Sequence, residues 1–153
     1  MEFVVNEWLP EYFKPDASNE EKEKLEKFLI KFLERNDKIF IRQPSEFLRK
    51  LLRFAKDYQN HSRVYANIHK FITIIYLDSN RCRIIHDGEY ELSEKIRNRL
   101  TEGGNTISDT YLFEAASMTD TKLILTTDTR LKKWMESEKE YSIVLLDDFL
   151  KNY

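Results

Sequence analysis

Two aspartates stand at positions where a fold can use them for chemistry. The run Ile107-Ser108-Asp109-Thr110-Tyr111-Leu112-Phe113-Glu114-Ala115-Ala116 puts Asp109 at the start of a small-residue helix. Lys122-Leu123-Ile124-Leu125-Thr126-Thr127-Asp128 puts Asp128 directly after an apolar strand. Helix starts and strand ends can aim two carboxylates at one point, as oxygen-ligand metal sites require. Two further places qualify: the first strand ends at Asn6-Glu7, and the helix after the second strand begins near Glu46. His and Cys clusters are absent, so the donor set suits hard cations such as Mg²⁺ or Mn²⁺. A pair of such ions would activate water and stabilise the leaving oxygen of a phosphodiester.

Each acid also has a structural use. Asp109 can serve the helix macrodipole. Asp128 can cap the short helix that comes after it. Glu46 can pair with Arg49 or Lys50 on its own helix. Glu114 lies about 140° round the helix from Asp109 by the 100° step, so it does not share that face.

These acids need elements to position them. Phe3-Val4-Val5 reads as a first buried strand, and Pro10 and Pro15 break the next segment into loop. Ser18 with Glu21 forms a capping box, and Leu25, Phe28, Leu29, Phe32 and Leu33 then repeat at helical spacing. Ile39-Phe40-Ile41 is the second strand. Pro44-Ser45 opens a helix with a core face of Phe47, Leu48, Leu51, Phe54 and Ala55. Tyr65 to Leu77 reads as a further helix, with a strand open at Ile72 to Ile75. Arg83-Ile84-Ile85 is the third strand, and Leu92 to Leu100 an amphipathic helix ended by Gly103-Gly104. Ser108 caps the next helix, through about Met118. Leu123-Ile124-Leu125 is the fourth strand, Leu131 to Met135 a short helix, and Ile143 to Leu146 the fifth strand, with Asp147 capping a last helical turn. Strands alternating with helices predict an α/β fold with a parallel sheet sandwiched between helices. Sites in such sheets lie beyond the carboxyl ends of the strands.

A chain of 153 residues supports one domain with one core. No run reaches the roughly 18 apolar residues of a membrane span, and the start carries no signal-peptide pattern. Cys82 is the single cysteine and reads as a small buried residue, so a reducing cytoplasm is the expected setting. Charge is uneven: residues 1–37 hold 6 Lys/Arg against 10 Asp/Glu, residues 38–75 hold 8 against 2, and residues 76–153 hold 11 against 15. A basic middle between acidic ends points weakly to a polyanion partner, against the plainer reading of solvated helix faces. Arg49, Arg53 and Lys56 recur at helical spacing as a positive stripe. Tyr58, His61, Arg63 and Tyr65 interleave aromatic and basic groups as single-strand binders do. Arg130 can meet a phosphate, and His86-Asp87 sits on the expected edge.

The order of elements and acids resembles the PIN-domain family of nucleases over nearly the whole chain. The sharpest part is Ser108-Asp109 with Ala115-Ala116, then Leu123 to Asp128, similar to the family's pattern of aspartate, alanine-rich helix, strand and Thr-x-Asp. Glu46 falls where the family carries a glutamate. The resemblance implies a PIN-like three-layer sandwich with about five parallel strands. It implies Mg²⁺ or Mn²⁺ held by Glu46, Asp109 and Asp128, and cleavage of RNA. It also implies toxin-like or RNA-processing roles, an antitoxin-like partner and a homodimer. One departure is plain: the family's first aspartate is here Asn6, whose amide oxygen can ligate but brings no charge. Glu7 is next, yet adjacent strand residues point to opposite faces, so it reaches the site only at a frayed strand end.

Three readings result. The first is a metal-dependent endoribonuclease with Asn6, Glu46, Asp109 and Asp128 in the site, and Glu7 and Arg130 as further candidates. The second is a PIN-like domain impaired in catalysis that binds RNA or a protein partner. The third is another acid-using α/β module, a phosphatase or receiver-like domain. A phosphoaspartyl module wants a nucleophilic aspartate where Asn6 stands. A P-loop is excluded because its Gly-rich Lys-Ser/Thr motif is missing.

Overall fold

The structure, a computed structural model, describes residues 1–102 and 107–153 (for residues 107 and 108, the backbone alone). Five parallel strands form one sheet in the order β3-β2-β1-β4-β5. They are β1 (Glu2–Val5), β2 (Lys38–Arg42), β3 (Cys82–Ile85), β4 (Leu123–Thr126) and β5 (Ser142–Leu145). The first four extend the apolar run in the sequence by a residue or so, because ladder hydrogen bonds continue onto polar ends such as Lys38 and Arg42. β5 instead starts a residue early and stops at Leu145, with Leu146 opening the last helix. The helices are α1 (Trp8–Tyr12), α2 (Asn19–Glu34), α3 (Glu46–Asp57), α4 (Ser62–Phe71), α5 (Glu94–Glu102), α6 (Ile107–Ala116), α7 (Thr129–Trp134) and α8 (Leu146–Asn152). A π-helical turn, Ile72–Tyr76, continues α4, which settles that segment as helix. The result is a three-layer sandwich.

Side chains alternate across a strand. Phe3 on β1 meets Phe28 and Phe32 of α2 and Phe149 and Tyr153 near the chain's end, with ring centroids 5.6–6.4 Å apart. On the other face α6 packs across β2, β1 and β4. Both alanines of its Ala115-Ala116 pair are fully buried, which lets the helix approach the sheet. The capping box at α2 is complete: Ser18 Oγ accepts from the Glu21 amide at 3.1 Å, and Glu21 accepts from the Ser18 amide at 2.8 Å. Ser45 caps α3 in the same way, accepting from the Leu48 amide. Cys82 is buried, and burial pushes its thiol up to about 12. Among the described residues no helix is long and apolar enough to cross a membrane.

Several expectations change. Pro10 does not break the chain into loop; it sits in the first turn of α1, where its missing N–H has no intrahelical acceptor to lose. Leu33 is exposed rather than part of the α2 core face. Asp147 is a first-turn acid of α8, not its cap; the N-cap position is Leu145, and Asp147 pairs with Lys24 at 2.8 Å. Ser108 lies within α6, not ahead of it. The expected stop at Gly103-Gly104 and the Ser108 side chain lie outside the described residues.

Candidate functional site

The carboxyl edge of the sheet is built at the β1 and β4 ends. β1 stops at Val5, and the Asn6 amide adds one more ladder bond, to the Leu125 carbonyl at 3.1 Å. The chain then turns into α1, with Glu7 in helical backbone at its N-cap. Trp8 pins that turn: its indole N–H donates to the Leu125 carbonyl at 3.3 Å, and its ring meets Phe28 edge-on. Because the strand has ended, strand alternation no longer governs Glu7.

Asn6 is buried and engaged. Its amide nitrogen donates to Thr126 Oγ1 at 2.7 Å, and its Oδ1 accepts from the Trp8 amide at 3.4 Å. Thr126 Oγ1, at the end of β4, also accepts from the Asp128 amide at 3.0 Å. This hydroxyl therefore ties β1 to the β4–α7 turn. Asp128 caps α7, Oδ1 accepting from the amides of Arg130 and Leu131 at 2.9 and 3.0 Å.

Asp109 rises from the first turn of α6 toward the same edge. Its carboxyl is pushed up to about 6, first by burial and then by the charges of Glu7 and Asp128, with Arg130 opposing. Three acids and one arginine, drawn from β1–α1, α6 and β4–α7, thus share an electrostatic neighbourhood. Tyr111, two residues on, is buried, and its hydroxyl has no hydrogen-bond partner among the described residues. Burial, and then the negative charge of Glu7, raise this phenol well above its ordinary value.

Other candidates are occupied elsewhere. Glu46 is half-exposed at the start of α3 and pairs with Arg49 at 2.6 Å, which holds its carboxyl below the usual range. Arg53 leans over the Phe54 ring and lies 4.0 Å from Asp57, and Lys56 is exposed, so two of three stripe cations face acids of their own helix. His61 caps α4 through Nδ1, and Tyr65 stacks on His69. Asp87, on the edge beyond β3, binds Arg42, while His86 is exposed.

Sequence reasoning did not find the Arg42 network. Arg42, ending β2, is buried; it donates to Glu114 of α6 at 2.8 Å, to Asp87, and to the Tyr90 hydroxyl at 3.3 Å. Burial pulls its guanidinium down, but the bonds to Glu114 and Tyr90 outweigh this and hold it above its ordinary value. Arg97 adds a second cation 3.8 Å from Glu114. The available signal was a charged residue closing an apolar strand, with one acid amid the small residues of α6.

Carboxylate oxygens in a half-buried setting, with an orphaned phenol beside them, fit a hard divalent cation by chemistry. Among the described residues, no group of three or more His, Cys, Asp or Glu is arranged to hold an ion as it stands. A cavity of about 510 Å³ lies elsewhere, lined in part by Lys132, Lys133, Lys139 and Tyr141, and none of the edge acids lines it. No family model, curated protein or solved structure matches this chain.

Proposed function

We propose that the protein is a metal-dependent endoribonuclease of PIN type, with Glu7, Asp109 and Asp128 as its acids. The observation that carries this reading is the raised Asp109 carboxyl. Burial first, and then two neighbouring carboxylates, disfavour its ionisation, and an added cation would relieve the repulsive part. Glu7 supplies the charge that Asn6 lacks. The sheet of five parallel strands and the position of Asp109 and Asp128 at element ends support this reading. An open edge, rather than an enclosed pocket, suits a polymer substrate.

Bound Mg²⁺ or Mn²⁺ would supply Lewis-acid polarisation of a phosphoryl oxygen and a water of lowered pKa. The chain's own part is to hold acids and exclude alternatives. Thr126 fixes the Asp128 turn, the α7 amides orient Asp128 through Oδ1, and Trp8 sets where Glu7 begins. Arg130 offers a cation at the rim for a phosphate.

The second reading, a PIN-like domain that binds RNA or a protein without cutting, is favoured by two engaged side chains. Asn6 is spent on Thr126, and Glu46 on Arg49. Incubation of single-stranded and hairpin RNAs with the protein and Mn²⁺, with and without chelator, separates the two. Chelator-sensitive cleavage that disappears in Asp109→Asn is expected from a nuclease. RNA retained on the protein but left intact by the parent, with cleavage appearing in Asn6→Asp, is the result that favours the second reading.

A further inference from the structure

β5 ends the sheet beyond β4, and among the described residues no strand pairs with its outer side. The Ser142 amide donates to the Lys122 carbonyl at 3.0 Å, and Ser142 lies opposite Leu123 in the parallel register. Backbone groups alternate along such a ladder, so the N–H and C=O of the next residue, Ile143, turn away from β4. A charge on an edge strand is a common guard against unwanted pairing. β3, the opposite edge, has exposed Arg83, whereas β5 reads Ser142-Ile143-Val144-Leu145 and carries no charge. The cavity of about 510 Å³ runs beside this open strand. Ile143 and Leu145 line it together with Lys132 and Lys133 of α7 and Lys139 of the turn that leads into β5. Among the described residues none of these three lysines forms an ion pair, and Lys139 Nζ donates only to the Glu136 carbonyl, at 3.1 Å. Two acids share the lining, but Glu138 is paired with Lys95 at 3.2 Å, which leaves Glu136 against three lysines.

We propose that an acidic, extended segment of another protein adds to the sheet as a strand beside β5. The segment takes its ladder hydrogen bonds from the open backbone at Ile143. Side chains alternate across a strand, so every second residue of the segment faces the lysine side of the sheet. Carboxylates at those positions meet Lys132, Lys133 and Lys139. Main-chain bonds then give affinity, and the alternate side chains give selectivity. Charge decides the occupant. A second copy of this chain pairing through β5 would bring its own three lysines to the same seam, and like charges disfavour that meeting. RNA would be drawn to the lysines but has no peptide amides to continue the ladder. The lysines stand beside the strand rather than on it, so they leave the edge open to a partner of opposite sign.

The probe is a peptide of about ten residues in which glutamate alternates with threonine and valine. It is titrated into ¹⁵N-labelled protein and, separately, followed by calorimetry. The Ile143 amide is expected to shift and to exchange its hydrogen more slowly once the peptide is bound. The variant carrying Lys132→Gln, Lys133→Gln and Lys139→Gln is expected to bind about tenfold more weakly. The same peptide N-methylated on every second residue, made in both phases, keeps its charge while one phase loses the ladder bonds. That phase is expected to lose binding. Equal binding by both N-methylated peptides would rule out strand addition. Equal binding by the triple variant, or by a peptide with lysine in place of glutamate, would remove the part given to charge. A single-stranded uridine oligonucleotide that moves the Ile143 amide would make RNA the occupant. A dimer in sedimentation, with that amide protected in the absence of peptide, would make it a second copy. Any of these results, or no binding of the acidic peptide, would overturn the proposal.

Discussion

Two charged clusters lie along the carboxyl edge of the same sheet, and α6 contributes an acid to each. Around Arg42 every charge is answered: Glu114, Asp87 and Tyr90 surround one guanidinium, and Arg97 supports Glu114. Around Asp109 the balance is the reverse. Burial, and then Glu7 and Asp128, disfavour its charge, with Arg130 opposing, and among the described residues the Tyr111 hydroxyl has no hydrogen-bond partner. The first arrangement locks α6 onto β2. The second leaves a carboxyl raised by burial and by like charges, the feature on which the proposed function rests. One helix thus anchors itself with Glu114 and presents Asp109.

The contrast has its largest consequence at Glu114. Glu114→Ala removes the buried carboxylate partner of Arg42, leaving it Asp87 and Tyr90, and should lower stability by about 2–4 kcal/mol, read by chemical denaturation. An unaffected variant would show that the Arg42 network is not an anchor. At the other cluster the sign reverses. Asp109 has a raised carboxyl in the folded state, so the native protein holds its proton at pH values where the unfolded chain has released it. Stability therefore falls as pH rises from about 4 through about 6, and stays lower above. Asp109→Asn should remove that slope and stabilise the protein near neutral pH, by about 1–2 kcal/mol once solvent screening at a half-buried site is allowed for. The same variant should lose Mn²⁺ binding. Destabilisation at neutral pH would contradict the assignment of unrelieved repulsion. A smaller effect is expected at Asn6. Asn6→Asp adds a charge beside Thr126 and should lower the melting temperature by a few degrees while strengthening Mn²⁺ binding several-fold, both measurable on one preparation. The smallest is at Glu46, whose partner Arg49 is solvent-exposed. Glu46→Gln should leave the melting temperature and Mn²⁺ affinity nearly unchanged, and a large loss of affinity would return Glu46 to the site.

The sheet was legible because its strands are apolar runs set between helices with readable caps, such as Ser18 with Glu21 and Ser45. The positions of Asp109 and Asp128 at element ends came from the same pattern. Side-chain commitments were not legible. Asp128 as cap and Asp128 as ligand look identical in sequence, and here its Oδ1 makes two cap bonds. Glu46 was equally ambiguous until its side chain was seen turned onto Arg49. Glu7 was only a further candidate because strand alternation would turn it away, a rule that does not apply because β1 ends at Val5 and α1 begins at Trp8. That helix was hidden by reading Pro10 as a breaker. The Arg42–Glu114 pair joins residues 72 apart, and no local pattern announces such a contact. The reading of Glu114 as off the Asp109 face agrees with its turning to Arg42.

The central claim is that the unpaired acids, with Glu7 in the role of the missing aspartate, bind a divalent cation. Calorimetric titration of Mn²⁺ into the parent and into Glu7→Gln tests it most directly. The expected result is binding by the parent that weakens about tenfold between about pH 7 and pH 5, as Asp109 takes up its proton, and that is lost in Glu7→Gln. Absence of binding by the parent, or equal affinity in Glu7→Gln, would contradict it.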